Sequence, residues 1–196
     1  MAVAVKRHLL LIVLALVTVS CATAKLIDTW VPEGYTAAPY GRLMIVGLTP
    51  NAKTRAQYEN DFVDKISNYG VVSVASINVV PELEDIDGKT VESWLAEYRL
   101  DGVIVTRLTT VKPARHYVPP HVSLRGWYGA WAAESQSVAG AEKFFLEADL
   151  FDAKTEELVY SAALQVKKKD DRTARIHAAI DEIAADMVER GYFRAR

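Results

Sequence analysis

Seven polar residues lie at or just beyond the ends of segments predicted to be buried strands, and they are the side chains best placed for binding chemistry. They are Thr49, Asn51, Arg55, Ser76, Asn78, Arg107 and Thr109. Ligands of open α/β sheets sit beyond the carboxyl ends of parallel strands, so this cluster would suit a small-molecule site or a weak hydrolase. Arg107 carries a charge that a buried strand must pair with a carboxylate, a carbonyl or a ligand. An internal salt bridge is the favoured interpretation, and a ligand is the alternative.

A second candidate site is the long loop 112–140, which contains three prolines and three glycines. Loops of this length are usually functional or disordered. Its aromatic side chains are Tyr117, Trp127, Tyr128 and Trp131. Exposed Trp and Tyr are typical binding anchors, and they would suit a protein partner, a glycan or a membrane interface. The loop could equally fold back as a lid over the domain's own core, and the sequence leaves both alternatives open.

Other signals of catalysis or metal binding are weak. No nucleophile elbow, phosphate loop or dinucleotide-binding glycine motif is present in the sequence. His116 and His121 would need a third ligand to hold a metal, so solvated loop histidines are favoured. The acidic residues between Glu82 and Asp87 lack the spacing of an EF-hand. The sequence therefore predicts no catalytic residue, no metal and no cofactor.

The amino-terminal segment predicts export. Lys6 and Arg7 precede an apolar run over residues 9–19, which is far shorter than the roughly 20 residues that span a bilayer and suits a signal peptide. Cys21, the single cysteine, follows Ser20 directly. A lone cysteine excludes an internal disulfide framework and a thiolate metal site.

Residues 17–21 resemble the bacterial lipobox, with Thr18 standing where that family usually has Leu. The resemblance implies cleavage after a signal peptide of residues 1–20 and lipid on Cys21, which would tie the protein to a membrane. By analogy, Ala22 implies the outer membrane, with the protein facing the periplasm. An unmodified cysteine and an uncleaved anchor remain as alternatives.

The chain that remains is predicted to be a single domain with a leader. The signal peptide holds two of the 23 basic residues and none of the 25 acidic ones, so its removal changes the formal net charge from −2 to −4. A chain with this balance is not expected to bind nucleic acid. Residues 21–41 are predicted to form the lipidated cysteine and a tether, because prolines and glycines interrupt them.

The periodicity of residues 42–193 predicts one α/β domain, an α+β sandwich. An apolar run at 42–48 and later runs at 71–76 and 103–109 are typical of buried parallel strands. Apolar stripes predict helices between them. After the long loop, residues 144–151 and 158–166 alternate as a hairpin, and a last helix ends near Gly191. The predicted order is β-α-β-α-β, loop, β-β-α, with a mixed sheet of about five strands.

The phrases at residues 101–107 and 150–160, together with this order of elements, resemble a group of small bacterial envelope lipoproteins of unknown function. Their α/β domain is similar to the amino-terminal domain of TolB and to LpoB. The resemblance implies a non-enzymatic protein-binding or scaffolding role in the envelope, with an envelope protein as partner. It transfers no catalytic residue.

Overall fold

The structure is a computed structural model that describes residues 23–83, 86–110, 123–124, 143–168 and 171–194. The strands are β1 (Ala24–Trp30), β2 (Arg42–Leu48), β3 (Val72–Ala75), β4 (Gly102–Thr109), β5 (Lys143–Asp152) and β6 (Leu158–Lys167). The α-helices are α1 (Ala52–Ser67), α2 (Gly88–Glu97) and α3 (Arg172–Glu189). A short 3₁₀ turn, Ser76–Asn78, follows β3.

All the described strands belong to one mixed sheet in the order β1-β6-β5-β4-β2-β3. β2 pairs in parallel with β3 and β4, and β5 joins antiparallel to both β4 and β6. This confirms the predicted α/β class and its mixed sheet. The carboxyl ends of β2, β3 and β4 therefore lie at the same end of the sheet, where the sequence places its polar cluster.

The sheet has a sixth strand, β1, within the segment that was predicted to be a tether. Ala24 pairs with Val166, and Trp30 pairs with Ser161, so β1 forms an edge strand antiparallel to β6. The register shifts between Leu26 and Asp28. Such a bulge interrupts the period of two, which is why alternation does not reveal the strand. The tether prediction is therefore wrong for these residues, and the domain begins close to Cys21.

Residues 31–41 form no helix or strand, yet they also belong to the domain. Tyr40 is buried, and its ring stacks on that of Tyr192 with 6.3 Å between centroids. Tyr35 stacks on the same ring at 6.1 Å. The segment closes one end of the core as it leads from β1 to β2.

A hydrophobic core lies on each face of the sheet. The first core packs the apolar stripes of α1 and α3 against the sheet, with Phe62 and Ile183 fully buried. The second core includes α2, through Trp94, and also Phe151 of β5. Leu124, from the long loop, is 1% exposed in this second core, so the loop contributes to the core at that position.

Candidate functional site

The polar residues at the strand ends form several separate contacts, each with its own local partners. The fullest is centred on Arg55 of α1, whose side chain is 1% exposed. Its Nε donates to Glu59 Oε1 at 2.9 Å, and its Nη2 donates to Ser76 Oγ at 2.8 Å. Its Nη1 donates to the carbonyl of Pro81 at 2.7 Å. The guanidinium charge is thus paired and hydrogen-bonded inside the protein.

Glu59, also on α1, is the residue that joins this network together, and its side chain is fully buried. Its carboxylate accepts hydrogen bonds from Gly47 N at 2.8 Å, Ser76 Oγ at 2.9 Å and Ile77 N at 2.6 Å. One side chain therefore connects α1 to the end of β2 and to the turn after β3. A buried ion pair needs such additional bonds to offset the cost of removing both charges from water.

Asn51 has a structural partner of its own. Its Oδ1 accepts from Thr54 N at 2.8 Å and from Thr54 Oγ1 at 3.0 Å. This is the bonding of a helix N-cap, here at the start of α1. Asn78 likewise donates to Asn60 Oδ1 at 3.1 Å.

Arg107 forms an ion pair with Glu147, its cross-strand partner on β5. Its Nε donates to Glu147 Oε2 at 2.6 Å. Both side chains are largely buried, so the charge expected to need compensation has a carboxylate in contact. The geometry agrees with the favoured interpretation of an internal salt bridge.

Asp149 is a further buried acid whose burial the alternating sequence of β5 does not reveal. It lies two residues after Glu147 on β5 and is 2% exposed. Ser161 of β6 hydrogen-bonds its carboxylate, while Asp149 Oδ1 has no hydrogen-bond partner among the described residues. Burial raises the pKa of Asp149 from 3.8 to about 7; the Glu147 charge adds to this rise, and the Ser161 bond and Arg107 oppose it. The group can therefore hold a proton close to neutral pH.

A shallow cleft of about 390 Å³ lies at the opposite end of the sheet. Two carboxylates line it, and both bind the protein's own chain. Asp101 Oδ2 accepts from the backbone N–H groups of Gly41 and Arg42, each at 2.8 Å. Asp152 accepts from Tyr40 Oη at 3.0 Å and from Lys154 N at 2.9 Å. Burial raises the pKa of Tyr40, so its hydroxyl remains a donor.

Several predicted site residues lie outside the described residues. These are Cys21, His116, Tyr117, His121, Trp127, Tyr128 and Trp131. Elsewhere, His177 is 57% exposed and pairs with Asp61 at 3.2 Å. Asp87, from the acidic stretch, caps α2 by accepting from Thr90 N at 2.7 Å. Within the described part of the chain, no three His, Cys, Asp or Glu side chains are grouped so that they could hold a metal ion.

The structure of the chain is similar to several solved structures. No protein-family model matches the chain, and no curated protein matches it. A PelC dodecamer from Paraburkholderia phytofirmans is similar with 9% identity and a TM-score of 0.47, over 88% of this chain and 99% of that chain. Lipoprotein GNA1162 from Neisseria meningitidis is similar with 8% identity and a TM-score of 0.41, over 76% and 96%. The resemblance to TolB and LpoB stays a prediction.

Among residues 23–83, 86–110, 123–124, 143–168 and 171–194, no helix combines the length and the apolar character that a membrane span needs.

Proposed function

We propose that the chain is a bacterial envelope lipoprotein that works as a non-enzymatic binding or scaffolding module. The observation that carries the proposal is the bonding at the strand ends, where this kind of fold would bind a ligand. Arg55 and Glu59 bond each other and the backbone, and Arg107 bonds Glu147. A catalytic side chain has to reach its substrate, and these charged groups already serve the fold.

The location of the protein is the second part of the proposal. The short apolar run over residues 9–19, the small residue Ser20 and the single cysteine that follows all support lipidation at Cys21. One acyl chain binds a membrane only marginally, so the lipid form proposed is the multi-chain form implied by the lipobox. The site proposed is the outer membrane, with the domain in the periplasm.

Intact mass spectrometry of the membrane fraction tests this location. We expect a mature chain that starts at Cys21 and carries acyl mass, and we expect Cys21→Ser to abolish that mass completely. Ser20, which leaves with the signal peptide, offers a matched control, because Ser20→Ala keeps a small residue at the cleavage site. A wild-type chain in the membrane fraction without acyl mass would refute the lipid anchor.

The proposed binding surface is the aromatic loop 112–140. Interface hot spots, among which tryptophan is enriched, cost about 2 kcal/mol or more when truncated, so Trp127→Ala/Trp131→Ala should lower recovery of an envelope partner by at least about tenfold. A pull-down of the tagged protein from solubilised envelopes, with recovered partners quantified, measures this. Val72→Ala is the control, because Val72 is an exposed apolar residue on the edge strand β3. An unchanged set of partners, with an unchanged thermal unfolding midpoint, would exclude the loop.

A further inference from the structure

Four lysines gather at the end of the sheet where the chain enters β1. Lys25, Lys143, Lys167 and Lys168 are all exposed. Lys143 and Lys167 are direct cross-strand partners, and Lys25 lies opposite Gln165 on the neighbouring pair of strands. Like charges directly opposite each other destabilise a sheet. The direct opposition of Lys143 and Lys167 is therefore not explained by strand pairing itself. We call these four residues the lysine face.

The other ends of β5 and β6 carry the opposite charge. Asp152 ends β5, Glu156 and Glu157 lie in the turn before β6, and Lys154 is the basic residue among them. β5 has 10 residues, so about 34 Å separates its two ends. This distance is several times the Debye length of about 8 Å at physiological salt. The lysine face thus presents its charge independently of the acidic end, although the mature chain has net negative charge.

The anchor would lie beside the lysine face. β1 begins at Ala24, three residues after Cys21, and three extended residues span at most about 11 Å. The backbone N–H of Lys167 donates to the carbonyl of Thr23 at 2.9 Å, which fixes the start of the domain against the end of β6. A lipid on Cys21 would hold these lysines at the depth of the phospholipid headgroups.

We propose that the lysine face binds anionic phospholipid headgroups and orients the domain, with its acidic end directed away from the membrane. The location of this surface at the membrane rests on the proposed lipid anchor, whereas its affinity for anionic lipid does not. Each lysine close to an anionic surface contributes about 1 kcal/mol, or about fivefold in binding. The face would therefore supply a second signal that reinforces the lipid and sets the orientation.

The test uses the chain from residue 21 onwards with Cys21→Ser, so that no lipid contributes. This chain keeps every described residue of both cores, since the first of them is Ala24, and it retains the whole described sheet. It is sedimented with vesicles of phosphatidylcholine, with and without phosphatidylglycerol, at low and at high salt. We expect binding only with phosphatidylglycerol, and we expect high salt to weaken it.

Charge variants identify the surface. The first triple variant is Lys25→Gln/Lys143→Gln/Lys168→Gln. Because each lysine contributes about fivefold to binding, the loss of three should weaken vesicle binding by about 100-fold. The control Arg42→Gln/Lys154→Gln/Arg194→Gln removes the same number of exposed charges away from the face and should bind like the parent chain. Inorganic phosphate, at matched ionic strength, should compete no better than sodium chloride.

The proposal is overturned if the parent chain does not bind phosphatidylglycerol vesicles, or if both triple variants bind equally. It is also overturned if phosphate competes better than chloride, because the face would then be a site for free phosphate. Acyl mass on wild-type Cys21 is measured separately. Its absence would remove the anchor and leave the vesicle result standing, so the two proposals fail by different observations.

Discussion

Replacing Glu59 with Gln should lower the free energy of unfolding by about 3–5 kcal/mol. Gln keeps the shape of the side chain, but it removes the negative charge and turns one acceptor oxygen into a donor. Arg55 would then be a buried charge without its counter-ion, and the N–H groups of Gly47 and Ile77 would compete for one remaining acceptor. Since small domains are stable by about 5–15 kcal/mol in total, this single change would remove a large share of the stability.

Urea unfolding measures the effect, and α1 offers a matched control. Asp64 is an exposed acid on the same helix, and Asp64→Asn should change stability by no more than about 0.5 kcal/mol. Arg55→Met combined with Glu59→Gln should cost less than the sum of the two single variants, because each single variant leaves the other polar group unpaired. If Glu59→Gln unfolded at the same urea concentration as Asp64→Asn, the network would not contribute to stability.

The sequence predicts most of the fold, because each core-facing element has a regular apolar period. The hairpin β5–β6 is a clear case, since the even positions from residue 144 to residue 150 are all apolar. β1 escapes prediction for two physical reasons. Its bulge between Leu26 and Asp28 breaks the alternation, and Pro32 and Gly34 follow shortly after, as in a leader segment. Edge strands of this kind depend on pairing with a partner strand, in this protein β6.

The polar cluster is predictable in position and less so in its bonding. The carboxyl ends of parallel strands meet at one end of a sheet, and this rule correctly predicts that Arg55 and Ser76 lie close together. Arg55 Nη2 and Ser76 Oγ are 2.8 Å apart. Glu59 is missed, because a Glu four residues after an Arg on a helix normally indicates a surface ion pair. Its burial depends on Gly47, whose backbone N–H lies on another element. A sequence pattern within α1 contains no information about that contact.

Asp149 shows how an alternating strand can conceal a titrating group. Its position on the less apolar side of β5 indicates a solvated acid, yet the side chain is 2% exposed. The charges that face it among the described residues are Glu147, on the same strand, and Arg107, on β4. Because Arg107 already pairs with Glu147, it compensates Asp149 only in part, and burial remains the dominant effect on its pKa.

Asp149→Asn should therefore stabilise the protein at alkaline pH more than at acidic pH. The folded protein holds this proton with a pKa of about 7, against an ordinary value of 3.8. Between these values the folded state binds more protons than the unfolded chain, so the contribution of Asp149 to stability falls as the pH rises from about 4 to about 7. The full difference corresponds to about 4 kcal/mol.

Urea unfolding of wild type and Asp149→Asn, at about pH 5 and about pH 8, measures this dependence. The stability of the variant relative to wild type should increase by about 2–3 kcal/mol between the two conditions. The exposed Asp64→Asn variant should show no such change, because a solvated carboxylate has similar proton affinity in both states. Ser161→Ala provides a further check: it removes the bond that lowers the pKa of Asp149, so the pH-dependent loss should extend to higher pH. If the free energies of unfolding of wild type and Asp149→Asn changed equally between about pH 5 and about pH 8, Asp149 would already be ionised in the folded protein at about pH 5.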